Sequence, residues 1–241
     1  MKYRKFRGDL YMNNIVIGIE GLVGAGKTSI CRRLIKIIPN TVLLNGGNLY
    51  RAIVYAMMKN GKKIEQLKDE AKNIDIKKIM DFFNIELKIE NNETNIYIDG
   101  ELAKEEELQS KDASMAVSVV GGIADNTALF EFARNLINSL KKTYNVVISG
   151  RDIMQIYPDL DYHFLITASI DERVKRKCIQ YKGKVKEEEV RENIIKRDEL
   201  QEKAGFYKMY KNTIKLDVTE CKTVEESTNK VLEKIKLPSL K

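Results

Sequence analysis

The spacing of apolar and polar positions divides the chain into short apolar runs and longer amphipathic stretches. The runs are rich in β-branched residues, and we predict strands at 14–20, 41–45, 144–150, 161–167 and 213–219. Apolar residues at helical spacing predict helices at 27–38, 48–61, 76–83, 113–142 with a break near 121–122, from about 170, within 182–200, and at 223–235. Strands that alternate with helices indicate an α/β fold, a parallel sheet with helices on both faces.

One segment has a two-residue period on both sides of a turn signal. In "IELKIENNETNIYIDGE" apolar and polar residues alternate before and after Asn91 and Asn92. This pattern predicts a β-hairpin with polar positions on both faces. We interpret it as part of a small insertion at about 82–112 in the main domain.

Composition limits the class of protein. A length of 241 residues with 43% hydrophobic content suits a single domain, predicted at 13–241, with residues 1–12 as a tail outside it. The net charge of +7 suits anionic partners. Lysines alternate with Glu and Asp rather than forming a basic block, so we do not expect nucleic-acid binding.

Cysteine, histidine and hydropathy patterns exclude several other sites. Cys31, Cys178 and Cys221 are far apart, which argues for a reducing compartment and against disulfides or a zinc site. His163 lies in the apolar run "YHFLI" and is predicted to be a strand residue, not a catalyst. No apolar stretch approaches the roughly eighteen residues of a membrane span, so we expect a cytoplasmic protein without a membrane partner.

The nine residues "GLVGAGKTS" after the first strand match G-x-x-x-x-G-K-[ST]. Glycines let backbone N–H groups surround phosphate oxygens, and the following helix adds its N-terminal dipole. Lys27 is expected to reach the β- and γ-phosphates, and the Thr28 hydroxyl to ligate Mg²⁺. The predicted ATP-binding residues are Gly21, Leu22, Val23, Gly24, Ala25, Gly26, Lys27, Thr28 and Ser29.

The G-x-x-x-x-G-K-[ST] pattern is known as a P-loop. A P-loop in a chain of this length, together with a charged segment that resembles a lid, is typical of a small-molecule kinase. An acceptor that carries phosphate is an anion, so its site should contain arginines near the ends of strands. The candidates are Arg51, Arg151 with Asp152, Arg173, Arg176, and Arg197 with Asp198.

Six motifs, in order, resemble those of bacterial cytidylate kinases over about residues 14–236. They are "IEGLVGAGKT", "NLYRA", "SGRDI", "PDLDYHFLITASIDER", "KRDE" and "LDVTECKTVEE". The resemblance implies a P-loop NTPase fold with a five-stranded parallel sheet, and it identifies the hairpin with an insertion that enlarges the monophosphate-binding region. It also implies a mobile lid at about 176–190, Mg²⁺ with ATP as the donor, and a CMP or dCMP acceptor; we expect a monomer.

The resemblance carries roles over by position. Arg51 would contact the acceptor phosphate, Arg151 and Asp152 would lie beside the transferred group, and Ser118 would lie near the base. Arg176 and Lys177 would be lid cations, and Arg197 would bind phosphate from the lid helix. The implied catalytic set is Lys27, Arg151, Asp152, Arg176 and Arg197, and the implied acceptor-binding set is Arg51, Ser118, Arg151, Asp152, Arg197 and Gln201.

The chain also departs from the family pattern. Asn45-Gly46-Gly47 replaces a motif with a hydroxyl at its centre, and Ser149 replaces an acidic residue near Mg²⁺. Thr127 stands where the family has an arginine. Three hypotheses for the function therefore stay open at this point: a cytidylate kinase, a kinase of another nucleotide acceptor, and a nucleotide-binding regulatory protein.

The region after "KRDE" changes the residues that read the base. Gln201 and Ala204 stand where the family has an Asp and an Arg, and a shift of alignment would bring Glu202 or Lys203 there. A carboxylate only accepts hydrogen bonds, whereas an amide can exchange its donor and acceptor by flipping. The sequence therefore predicts weaker discrimination between CMP and UMP, with Gln201 as the adaptable residue.

Overall fold

The computed structural model describes residues 14–59, 61, 76–108, 110, 113 and 127–236. The predicted tail at 1–12, Ser118 and the predicted break near 121–122 lie outside the described residues. Strands are β1 Val16–Gly21, β2 Thr41–Asn45, β3 Ile85–Glu90, β4 Glu93–Ile98, β5 Glu101–Leu102, β6 Asn145–Ser149, β7 Tyr162–Thr167 and β8 Thr213–Asp217. Helices are α1 Lys27–Ile37, α2 Gly46–Lys59, α3 Ile76–Phe82, α4 Glu105–Leu108, α5 Thr127–Lys141, α6 Ile153–Ile156, α7 Ile170–Gln180, α8 Glu187–Lys203 and α9 Val224–Leu232.

All five predicted core strands are present and parallel. They lie in the order β2-β6-β1-β7-β8, with β1 in the centre. From β1 the chain passes to β2, returns to β6 beside β1, and then crosses to β7 and β8 on the other side, so the strand order changes direction at β1. Ligands of open α/β sheets bind at this point, beyond the carboxyl ends of the strands.

Successive side chains of the central strands point to opposite faces of the sheet, and they form two apolar clusters, one on each face. On β1, Ile17 and Ile19 pack with residues of α1 and α9, whereas Val16 packs with residues of α5 and α6. On β6, Val147 joins the first cluster, and its neighbour Val146 joins the second. Helices therefore cover both faces, as the strand pattern predicts.

The hairpin insertion is part of the main sheet. Strands β3 and β4 pair antiparallel around Asn91 and Asn92, as predicted, and both asparagines have positive φ. Beyond the prediction, β4 also pairs in parallel with β2 at Leu43 and Glu93. The Leu43 N–H donates to the Asn92 carbonyl at 2.8 Å, and Thr94 Oγ1 donates to the Leu43 carbonyl at 3.1 Å.

The predicted lid segment, 176–190, is mostly helical. It runs from the last turns of α7 through a turn at 181–186 into the first turn of α8. The short elements β5, α4 and α6 were not predicted, because two to four residues do not show a period. In the part of the chain that the structure describes, no helix combines the length and apolar character needed to cross a membrane.

Candidate active site

A cleft of about 1700 Å³ opens at the carboxyl ends of the parallel strands. Pockets for one small ligand are typically about 300–1,000 Å³, so this cleft has room for two nucleotides. The loop after β1 lines one part of it, and the start of α2 lines another. The turn at Arg151 and Asp152 after β6 and the facing side of α7 and α8 complete the lining.

The shape of the loop after β1 depends on its glycines. A Cβ at Gly21 would lie 2.1 Å from the Ile166 carbonyl oxygen of the adjacent strand. Gly26 has a φ of 94° and precedes α1, and no side chain caps this helix. The free N–H groups of the first turn and the helix dipole therefore form an anion-binding end.

Lys27 lies on the first turn of α1 and folds back onto the loop. Its Nζ donates to the carbonyl oxygens of Gly21 and Leu22, both at 2.8 Å. Burial lowers its pKa well below the usual value, and the charges of Arg151, Arg197 and Lys177 lower it further. The ammonium thus lies in an environment that favours a nearby anion.

Four further cations come close enough to influence one another. Burial lowers the pKa of Lys177 to about 8 and that of Arg51 to about 10, and Arg197 contributes to both shifts. Burial and Arg151 lower the pKa of Arg197, whose Nε atom is buried with no acceptor among the described residues. We call Lys27, Arg51, Arg151, Lys177 and Arg197 the cation cluster.

A cluster of this kind is arranged for a polyanion. Like charges at short range destabilise the folded chain and burial adds a desolvation cost, which Glu105 offsets only in part at Arg51 and Lys177, so a negative ligand would stabilise the arrangement. A family model described as cytidylate kinase matches residues 17–237, which contain the whole cleft. The chain belongs to the cytidylate kinase family.

Curated relatives have the same description. A cytidylate kinase from Clostridioides difficile is 32% identical over 231 residues, covering 94% of this chain and 100% of its own. A cytidylate kinase from Caldanaerobacter subterraneus is 32% identical over 228 residues, covering 92% and 95%. Among solved structures, an uncharacterized protein from Eubacterium ventriosum has a TM-score of 0.45 at 16% identity, covering 91% of this chain and 96% of its own.

Arg173 and Asp198, which the sequence named as candidates for the acceptor site of this cytidylate kinase family member, instead hold the loop after β1. We call this loop, residues 21–26, the donor loop. The buried Arg173 pairs with Asp198, and its guanidinium also donates to the carbonyls of Val23 (3.2 Å) and Ala168 (3.0 Å). The Val23 N–H donates to Asp198 at 3.4 Å. Both polar backbone atoms of Val23 are therefore bound by one ion pair between α7 and α8.

The side chain of Arg176 also forms hydrogen bonds with other parts of the protein. Its guanidinium donates to Glu172, to the Ala25 carbonyl, and to the carbonyls of Val218 and Cys221. These contacts connect α7 with the donor loop and with the loop after β8. Lys177 belongs to the cation cluster, so the two adjacent lid cations differ in their surroundings.

A buried polar network lies beneath Arg151 and Asp152. Glu20 Oε1 accepts from the Ile153 N–H at 2.7 Å and lies 3.2 Å from His163 Nε2; His163 Nδ1 lies 2.8 Å from Thr213 Oγ1. His163 is thus a buried strand residue, as predicted. Burial and the charge of Glu20 raise the pKa of Asp152 to about 6. Glu20 was not among the predicted residues, although an acid inside an apolar strand was a visible signal.

In this structure the Gln201 amide faces Arg151. Gln201 Oε1 accepts from Arg151 Nε at 3.0 Å and from Arg151 Nη2 at 2.9 Å. A guanidinium can only donate, so the amide oxygen must face it. The Tyr207 hydroxyl also contacts this oxygen, and sequence reasoning did not single out Tyr207.

The remaining departures from the family pattern have defined contacts. Ser149 is buried and hydrogen-bonds to the thiol of Cys31, whose pKa burial raises to about 12, so Cys31 stays a protonated packing residue. The Asn45 side chain accepts from the Asn48 N–H at 3.2 Å, at the start of α2. Thr127 begins α5.

The side chains around the cleft fit a magnesium ion that arrives with a nucleotide. Among the described residues, no group of three or more His, Cys, Asp or Glu side chains is placed to hold a metal. Thr28 follows Lys27 and lines the cleft. Its hydroxyl, with phosphate oxygens and water, could complete the oxygen ligands that Mg²⁺ prefers.

Proposed function

We propose that the protein transfers the γ-phosphoryl group of ATP to a pyrimidine nucleoside monophosphate, CMP or dCMP, with Mg²⁺. The cation cluster carries this proposal, because it combines the donor-loop Lys27 with three arginines and Lys177 in one cleft. One triphosphate and one monophosphate together supply the negative charge that such a cluster requires. Membership of the cytidylate kinase family supports the choice of acceptor.

Phosphoryl transfer in this site depends on positioning and charge rather than on a covalent intermediate. An oxygen of the acceptor phosphate attacks the γ-phosphorus, the bond to the β,γ-bridging oxygen breaks, and ADP leaves. The donor loop, Lys27 and the first turn of α1 would hold the β- and γ-phosphates. Mg²⁺ held by Thr28 would neutralise part of their charge. Arg51, Arg151, Lys177 and Arg197 would bind the acceptor phosphate and the charge that develops between the two nucleotides.

The departures at Ser149, Thr127 and Gln201 support a second candidate, a kinase of the same fold with another or a modified pyrimidine acceptor. The Gln201 oxygen faces Arg151 in this structure, so the amide becomes available to a base only when Arg151 turns to the acceptor phosphate. An amide released in this way can present either its donor or its acceptor, and weaker discrimination between CMP and UMP remains a prediction.

A panel of monophosphates tests the proposed function directly. With ATP and Mg²⁺ in excess, we expect CMP or dCMP to give a kcat of about 1–100 s⁻¹, the usual range of kinases. UMP, AMP and GMP should have lower kcat/KM. A higher kcat/KM for one of these three would favour the second candidate. No turnover of any acceptor would contradict both.

The lowered pKa of Lys177 predicts a pH dependence. At ATP concentrations far below its KM, the kcat/KM for the acceptor reports groups of the nucleotide-free enzyme, and phosphate binding needs the protonated ammonium. We therefore expect kcat/KM to fall above pH 8, the value to which burial, Arg197 and Arg51 lower the pKa of Lys177. In Lys177→Arg this fall should be smaller, because a guanidinium keeps its proton, while Lys27, whose pKa is also lowered, still titrates.

The control for this profile is Lys184→Arg, an exposed lysine in the turn between α7 and α8. Its profile should match that of the wild-type protein. If Lys177→Arg keeps the same descending limb as the wild-type protein, another group causes it, and Lys177 is not the titrating cation.

A further inference from the structure

The side chain of Arg151 is held by two residues of the region in which this chain departs from its family. Its Nε and Nη2 atoms both donate to Gln201 Oε1, and its Nη1 donates to the Gly150 carbonyl at 3.0 Å. The ring of Tyr207 stacks against the guanidinium, with Cζ 5.3 Å from the ring centroid. The Tyr207 hydroxyl meets the same oxygen of Gln201.

The edge of Arg151 that faces Gln201 is one that binds phosphate or carboxylate oxygens. Two parallel N–H groups of one guanidinium edge match the oxygens of an anion, and such contacts are about twice as strong as those to a neutral oxygen. The amide oxygen of Gln201 therefore orients this edge without a negative charge. A phosphate that reaches Arg151 can replace the neutral oxygen with a net gain in interaction.

The backbone at Tyr207 is strained. Gly205 has a φ of 79° after the end of α8, and Tyr207 itself has a φ of 67°. Glycine adopts such angles readily, but a bulky residue does so only at an energetic cost. The Phe206 N–H donates to the Gln201 backbone carbonyl at 3.0 Å and closes this turn. The turn brings the Tyr207 ring back onto Arg151, so the strained residue is the one that contacts the cation.

We propose that Gln201 and Tyr207 are positioning residues for Arg151. Gln201 holds the Nε and Nη2 edge of Arg151 in the orientation that binds phosphate, and it yields that edge to the acceptor monophosphate. The Tyr207 ring contacts the guanidinium and helps to hold it in place. This inference rests on the proposed function, in which Arg151 binds the acceptor. Gln201 and Arg197 both lie on α8, so Arg151 loses a contact with that helix when it binds the acceptor phosphate.

The decisive variant is Gln201→Glu, which changes the partner of Arg151 from neutral to charged and leaves the size of the side chain almost unchanged. The carboxylate should compete with the acceptor phosphate for Arg151. We expect the KM for CMP to rise about tenfold or more, with the KM for ATP within about twofold of the wild-type value. Glu199→Gln is the matched control, an exposed charge change on the same helix, and should leave both KM values unchanged.

Two further variants separate positioning from a structural role. Gln201→Met removes the acceptor for Arg151 and should lower kcat about tenfold, because the guanidinium loses its orientation. Tyr207→Phe keeps the stacked ring and should change kcat by less than about threefold, whereas Tyr207→Leu should match Gln201→Met. An equal loss of ATP and CMP affinity together with a lower melting temperature in Gln201→Glu would assign a structural role and overturn the proposal.

Calorimetric titration with CMP keeps this test independent of turnover. If the wild-type protein binds CMP but phosphorylates no monophosphate, the proposed function fails, whereas a Kd for CMP that rises about tenfold in Gln201→Glu still supports the positioning role. An unchanged Kd and an unchanged KM in Gln201→Glu would overturn the positioning role while the kinase activity stands.

Discussion

Replacing Lys27 with alanine should lower kcat about 10²–10³-fold, the effect of removing one preorganised charge at a transition state. Lys27 begins α1, and its ammonium already lies against the Gly21 and Leu22 carbonyls of the donor loop. A triphosphate in this loop would lie within reach of the same ammonium. The measurement is steady-state turnover of ATP with the best acceptor of the panel.

The same substitution should not lower the stability of the nucleotide-free protein. The lowered pKa means that the folded chain binds the Lys27 proton less tightly than the unfolded chain does. At neutral pH the charged ammonium therefore reduces the free energy of unfolding, and its removal should leave the melting temperature unchanged or higher. Lys36→Ala, an exposed change on the same helix, should alter neither quantity. Near-normal turnover by Lys27→Ala would refute the donor-loop assignment.

Replacing Asp198 with alanine should lower the free energy of unfolding by about 3–5 kcal/mol, the cost of leaving a buried charge without its partner. Arg173 is 8% exposed at its side chain and Asp198 is 21% exposed, so solvent can replace the lost carboxylate only in part. The substitution also leaves the Val23 N–H without its acceptor. Urea unfolding measures the change.

A double variant and an exposed ion pair serve as controls. Arg173→Met with Asp198→Leu removes both charges and should recover most of the lost stability. Its KM for ATP should stay above the wild-type value, because Val23 in the donor loop is no longer held. Glu225→Ala breaks the exposed pair with Arg33 and should cost less than about 1 kcal/mol. A loss of similar size for Asp198→Ala and Glu225→Ala would mean that burial does not determine the strength of the Arg173–Asp198 pair.

Sequence reasoning identified the elements that depend on local pattern. The donor loop follows from its glycines, and β1 follows from a short β-branched run. The hairpin follows from alternation around Asn91 and Asn92. Each of these signals lies within about twenty residues, which is the range over which periodicity and turn chemistry operate.

The errors concern contacts between residues far apart in the chain. Nothing near Gln201 reveals that its oxygen faces Arg151, fifty residues earlier, so its role as a partner of Arg151 could not be predicted. Arg173 and Asp198 carry the right residue types for a phosphate site, but their mutual pairing and the burial of Arg173 depend on how α7 packs against α8. The parallel pairing of β4 with β2 likewise requires knowledge of the assembled sheet.

The attachment of the hairpin to β2 also determines which strand forms the outer edge of the sheet on that side. Without the insertion, the apolar strand "TVLLN" would present unpaired backbone groups at Leu43 to other molecules, the arrangement that promotes edge-to-edge aggregation. With it, the edge passes to β3, where Glu86, Lys88 and Glu90 are exposed and charged. Such side chains disfavour the addition of a further strand. We therefore expect a shortened form that lacks the insertion to aggregate more readily than the full-length protein.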